Sequence, residues 1–350
     1  MSKIATFNHS EAFILESGQT ISNLTLAYQT FGTLNPQKNN VIWVCHALTA
    51  NADVSDWWSG LFGEGKILDP THYFIVCANN LGSCYGSTNA LSINKTTNLP
   101  YFHQFPLITI KDMANCLELL RKYLQIPTIK TLIGGSMGGQ IAMEWAILNP
   151  LVTKNLILLA TNAFHSAWGI AFNETQRMAI ETDPTWAQAT EDAGKIGLKT
   201  ARAIALLSYR NYFTYQTAQK EPQNTKVEAF KSASYQQYQG EKLVKRFNAY
   251  AYWTLSKAMD SHNVGRGYKN IQIALKKIKA KTLIIGISSD VLFPLEEQLV
   301  LQQYIPDAFF VEIQSLYGHD GFLIEYQQIT TTIQEYFTKK TQILEEINFI

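Results

Sequence analysis

Apolar and polar positions along the chain sort into two kinds of segment. Short apolar or β-branched runs occur at 24–31 (LTLAYQTF), 41–46 (VIWVCH), 72–78 (HYFIVCA), 129–134 (IKTLIG), 154–160 (KNLILLA), 281–287 (KTLIIGI) and 308–313 (AFFVEI). Several are continuous rather than alternating, which suits strands buried on both faces of a parallel sheet. Between them, apolar residues spaced three and four apart predict helices over 110–124, 137–148 and 321–338, the first two stopping before Pro127 and Pro150.

From about 163 to 275 the strand signal disappears. Segments such as ARAIALLSYRNYF and GEKLVKRFNAYAYWTLSKAMD read as helices, and the strand pattern returns at 281. The pattern therefore predicts an α/β core made of residues 1–162 and 276–350, interrupted by a helical lid inserted at 163–275. No internal repeat or low-complexity linker breaks this order.

Composition narrows the class of partner. The chain has 350 residues, 46% hydrophobic and 16% charged, enough for one large core with an insertion. Its 29 basic and 28 acidic residues give a formal charge of +1 without long single-sign runs, so no nucleic-acid partner is expected. MSKIATFNHSEAF has neither the apolar core of a signal peptide nor the bias of a transit peptide, and no stretch is long and apolar enough for a membrane span. A cytoplasmic protein with no membrane partner is the expectation. Cys45, Cys77, Cys84 and Cys116 form no CxxC pair, so neither a disulfide scaffold nor a metal site is expected.

The chemistry centres on TLIGGSMGGQIAMEWA, residues 131–146. A strand, then Gly134-Gly135-Ser136-Met137-Gly138, then a helix is the setting in which G-x-S-x-G forms a nucleophile elbow. The turn is too sharp for side chains at the flanking positions, and it lifts the serine hydroxyl to the carboxyl edge of the sheet. The competing reading, a phosphate-cradling turn, lacks the Gly-Lys-Ser/Thr ending that such a loop needs.

A serine hydroxyl needs a base, and the base needs a carboxylate to orient it, in the chain order Ser, acid, His for this topology. Asp290 follows the strand TLIIGISS, and His319 lies in LYGHDGF after the next strand, so both come off the same sheet edge as Ser136. Each carboxylate has a structural alternative: Asp290 capping the turn before Pro294, and Asp320 capping the following helix. His9, His72, His103, His165 and His262 lack a comparable position. His46 opens the loop HALTAN, where one oxyanion N–H donor belongs; Leu48 is assigned that donor and Met137 the second.

Taken together, CHALT, NNLGSCYGST, FPLITIKDM, GGSMGGQIAMEWA, ARAIALLSYR, YQGEKLVKRFNAYAYWTLSKAMDSHNVGRG, GISSDVLFP and YGHDGFL resemble the homoserine O-acetyltransferase family, an α/β-hydrolase-fold branch of methionine biosynthesis. The resemblance covers about residues 20–335, and the lid segment ending MDSHNVGRG is its most discriminating part. The chain departs from the family at NALSIN after GST, beginning at Asn89-Ala90, and at ANADVSDWW after HALT, beginning at Ala50-Asn51.

The resemblance implies a double displacement: Ser136 takes an acetyl group from acetyl-CoA, and L-homoserine attacks the acyl-serine with His319 again as base. It implies no cofactor beyond acetyl-CoA as co-substrate, and a homodimer. By similarity Arg202 and Tyr209, seven apart on one lid helix, hold the acceptor's carboxylate, and Asp320 receives its amine. Arg210, next along that helix, is expected to point elsewhere. Cys84 has no elbow and no ordered base, so it is not expected to be a nucleophile. Succinyl-CoA as donor, L-serine as acceptor, or an esterase remain open as alternatives; a catalytically silent binding protein of the fold is expected to lack a triad member, and none is missing.

Overall fold

The computed structural model describes residues 3–347. Eight strands form the main sheet: β1 (Ala5–His9), β2 (Leu24–Phe31), β3 (Val41–Cys45), β4 (Phe74–Ala78), β5 (Ile129–Gly135), β6 (Thr153–Leu159), β7 (Lys281–Ile287) and β8 (Ala308–Ile313). Their spatial order is β1-β2-β4-β3-β5-β6-β7-β8. The pairs β1/β2 and β2/β4 are antiparallel and the remaining neighbours parallel. Every expected strand is present with ends shifted by at most two residues. β1 was not among them, because the alternating ATFNH of an edge strand carries a weaker signal than a fully apolar run.

The central apolar runs are buried on both faces, while the edge strand β8 leaves Phe309 exposed. In β3, Val41, Trp43 and Cys45 enter one core cluster while Ile42 and Val44 enter the other. Trp43 meets Trp145 edge-on at 4.9 Å, which locks the helix after the elbow onto the sheet. Helix α1 (Ile110–Tyr123) begins with a capping box between Thr109 and Asp112, and α2 is Met137–Leu148.

After β6 the chain runs through α3 (Ala167–Glu181), α4 (Lys195–Tyr209), α5 (Tyr212–Ala218), α6 (Lys231–Val244), α7 (Ala249–Asp260) and α8 (Ile271–Leu275) before returning at β7. The outgoing and returning chains bond to each other at the base of this insertion: the His165 N–H donates to His262 O at 2.9 Å and the Val264 N–H to Ala163 O at 2.9 Å. A buried Arg177 ties α3 to α7 through Asp260 and Ser256.

Helix α9 is Leu295–Tyr304. The single helix expected over 321–338 is broken at Glu325 into α10 (Gly321–Ile324) and α11 (Tyr326–Ile347). Packing explains the break. Phe322 is buried with its ring against the elbow glycine Gly135, and its carbonyl accepts from Trp58 Nε1 at 3.1 Å. That anchor fixes the first turn independently of the helix that follows.

Candidate active site

The site is built at the carboxyl ends of β5, β7 and β8. Ser136 stands between β5 and α2 with φ 56° and ψ −127°, backbone values that a non-glycine residue holds only when its surroundings force them. The surroundings do so at both ends. The Ser136 N–H donates to Leu159 O at 2.9 Å and the Ser136 carbonyl accepts from Thr161 Oγ1 at 2.9 Å. A Cβ on Gly134 would stand 2.3 Å from the Gly138 carbonyl oxygen, and one on Gly138 would stand 2.0 Å from that of Cys45. Both glycines are therefore required by close backbone approach.

Three buried side chains meet here. His319 Nε2 is 2.8 Å from Ser136 Oγ, and His319 Nδ1 is 2.6 Å from Asp290 Oδ2. Asp290 divides its two oxygens: Oδ1 accepts the N–H groups of Leu292 at 2.8 Å and Phe293 at 2.9 Å, leaving Oδ2 for the imidazole. The turn-capping alternative for Asp290 is thus also real, and the same bonds orient it toward His319. The imidazole ring is stacked on Phe293 at 4.9 Å and flanked by Phe322 at 5.2 Å and Tyr209 at 5.9 Å. Gly318, at φ 63°, lets the histidine loop pass beside the end of α4, since a Cβ there would lie 3.0 Å from Tyr209 O.

His46 is structural. Its Nδ1–H donates to Ala47 O at 2.8 Å, and its Nε2 accepts the Asn80 N–H at 3.0 Å. Burial pushes its pKa down to about 4, so it stays neutral in this one tautomer. The Ala50 N–H closes a turn onto Ala47 O at 3.1 Å. Leu48, the second residue of that turn, keeps its N–H out of the turn's closing bond, and Met137 opens α2, where an N–H has no intrahelical acceptor. On the other side of the loop, Arg246 of the insertion donates through Nη1 to Thr49 O at 2.6 Å and reaches Tyr85 OH at 2.5 Å. Nothing in the periodicity singles out Arg246, and the sequence reading missed it.

The remaining candidates gather around the base. Arg202 lies over the Tyr209 ring at 5.4 Å, and that ring contacts His319. Asp320 bears on two of the expectations. Its backbone is helical and its side chain makes no helix cap, which removes the capping alternative. Its Oδ2 is also paired with Arg210 Nε at 3.0 Å, so Arg210 does not point elsewhere. The helical spacing fails because α4 ends at Tyr209; Arg210 has extended backbone, φ −123° and ψ 175°, and swings toward the histidine loop.

Cys84 is half-buried, and burial pushes its thiol up, away from the reactive thiolate. His165 and His262 are buried, which pushes them down to about 4 and about 3; the first contacts Asn173 Nδ2 at 3.1 Å and the second Asn162 O at 3.1 Å. His103 Nε2 bonds to Trp186 O at 2.6 Å. Among the described residues no cluster of three or more His, Cys, Asp or Glu could hold a metal, and no helix is long and apolar enough to cross a membrane.

A strained serine between a parallel strand and a helix, bonded to a histidine that is bonded to an aspartate, can form and resolve an acyl-serine. Sheet order and elbow together define the α/β-hydrolase class, and residues 40–326 match the family described as alpha/beta hydrolase fold. The chain is 50% identical to a homoserine O-acetyltransferase of Cyclobacterium marinum over 331 residues, covering 95% of this chain and 94% of that one. The structure superposes on the homoserine O-acetyltransferase of Bacillus anthracis with a TM-score of 0.89 at 25% identity, covering 96% of this chain and 97% of the other. It also resembles esterase E22, with a TM-score of 0.85 at 24% identity over 95% and 99% of the two chains, a likeness of fold alone. The chain belongs to the homoserine O-acetyltransferase family.

Proposed function

We propose that this chain transfers an acetyl group from acetyl-CoA to the hydroxyl of L-homoserine, a step of methionine biosynthesis, through an acetyl-Ser136 intermediate. The observation that carries the mechanism is the continuous Ser136–His319–Asp290 hydrogen-bonded chain. His319 takes the Ser136 proton as Oγ attacks the thioester carbonyl. The Leu48 and Met137 N–H groups stabilise the oxyanion, and CoA leaves as the thiol with that proton. Homoserine then gives its hydroxyl proton to His319 and attacks the acyl-serine; collapse returns the proton to Ser136 Oγ and releases O-acetylhomoserine.

Transfer rather than hydrolysis requires an ordered acceptor. Arg202 and Tyr209 serve its carboxylate and Asp320 its ammonium: the Tyr209 ring packs by the imidazole, Arg202 lies over that ring, and Asp320 follows His319 in the chain. The helical insertion acts as the lid that limits water at the acyl-serine. Initial rates measured against acetyl-CoA at several fixed homoserine concentrations are expected to give parallel double-reciprocal lines. Intersecting lines would mean direct transfer in a ternary complex.

The same reading includes a cytoplasmic location, which cell fractionation checks. It also includes a homodimer. Ile196 and Leu207 on α4 and Tyr212 and Phe213 on α5 leave large apolar side chains exposed, surface that a second copy seated on these helices would remove from water. Light scattering of the purified chain should give twice the 39.5 kDa chain mass; a monomer at micromolar concentration would reject this part.

A further inference from the structure

Two tyrosines of the insertion carry hydroxyls without an obvious task. Tyr215 on α5 and Tyr235 on α6 meet edge to face, with ring centroids 6.2 Å apart. Both hydroxyl oxygens are buried, and among the described residues neither has a hydrogen-bond partner. A buried phenol left unpaired is costly, and a pair of them calls for a ligand or another explanation.

Their location suggests which ligand. The Arg210 guanidinium lies over the Tyr235 ring at 5.7 Å, and Arg210 bonds to Asp320, the neighbour of His319 in the chain. Arg202 is linked to His319 through the Tyr209 ring, which it covers. The Tyr215 phenol thus lies within electrostatic reach of Arg210, Arg202 and Asp320, and the Tyr235 ring lies under Arg210, at the edge of the residues assigned to the acceptor. Burial and the neighbouring Tyr235 push the Tyr215 phenol up to about 12, so it remains a donor. With two guanidinium groups against the one carboxylate of Asp320, which Arg210 already pairs, the charge near the phenols favours an anion over an ammonium.

We propose that Tyr215 and Tyr235 donate hydrogen bonds to the carboxylate of the amino-acid acceptor and so, with Arg202, determine which alcohols resolve the acyl-enzyme. This rests on the acyltransferase reading above and adds two specificity-determining residues to it. The Arg210–Asp320 pair then divides the site: its anionic member serves the ammonium, and its cation stands on the carboxylate side with the two phenols.

The test removes one hydroxyl at a time without changing ring volume, as Tyr215→Phe and Tyr235→Phe. Decay of acetyl-enzyme is followed with three acceptors: homoserine, 4-hydroxybutyrate, which lacks the ammonium, and 3-amino-1-propanol, which lacks the carboxylate. Each variant is expected to lose about tenfold in kcat/KM for the two carboxylate acceptors, carried by KM, and to change by less than about twofold for 3-amino-1-propanol. Asp320→Asn provides the converse, with its loss on homoserine and 3-amino-1-propanol and not on 4-hydroxybutyrate. Hydroxyls that are merely buried would leave the ranking of the three acceptors unchanged, and that result overturns the proposal, as does an equal loss on all three. A wild-type chain that does not acetylate homoserine overturns both this proposal and the reading beneath it; transfer to homoserine with unaltered tyrosine variants overturns this one alone.

Discussion

Asp290→Asn is expected to lower turnover by about 10⁴ while the protein stays folded. The reason lies in how Asp290 is held. The N–H groups of Leu292 and Phe293 both donate to Oδ1, so an asparagine keeps its carbonyl oxygen there and must present its NH₂ group where Oδ2 now meets His319 Nδ1. An NH₂ group can only donate, so Nδ1 becomes the acceptor and the proton moves to Nε2, the nitrogen that has to receive the Ser136 proton. Both half-reactions contain that transfer, so single-turnover acylation by acetyl-CoA and deacylation by homoserine should fall by similar factors. Circular dichroism and thermal melting check that the fold persists. Near-normal turnover would move the role of the acid elsewhere.

Ser136→Ala should have a larger effect, on the order of 10⁶ in turnover, because the intermediate itself disappears. Alanine keeps the Cβ and the elbow's backbone bonds, so the change removes the nucleophile and little else. Wild-type protein incubated with acetyl-CoA alone should gain one acetyl group on the peptide containing Ser136, detectable by mass spectrometry. Ser136→Ala should lack this adduct, and Cys84→Ala should retain it. An adduct that survives in Ser136→Ala, or vanishes in Cys84→Ala, rules out Ser136 as the acyl carrier. The half-buried, hard-to-ionise thiol of Cys84 makes the second outcome the less expected.

The sheet and the triad were legible in the sequence because their signals are local. A strand buried on both faces must be apolar throughout, so VIWVC and KTLIIGI declare themselves, and the returning βα units put their carboxyl ends on one edge. The elbow needs glycine where backbones approach within a Cβ's reach, and a serine between them is readable as a pentapeptide. Chain order then assigns Asp290 and His319 without any distance. By itself the sequence determined the α/β core, the helical character of the stretch between β6 and β7, and the three residues now found in hydrogen-bonded contact.

Tertiary structure decided what depends on surfaces meeting after the chain has closed. Arg210 reads as a helix residue facing away until α4 is seen to end one residue earlier, which frees its backbone to turn the guanidinium onto Asp320. The break at Glu325 and the anchoring of Phe322 depend on Trp58 and Gly135, far away in the chain. His46 and Arg246 hold the loop after β3 through backbone groups, and backbone groups carry no residue-type signature. The unpaired hydroxyls of Tyr215 and Tyr235 are invisible in sequence for the same physical reason: a phenol's partners are set by what packs over it, and no helical period records them.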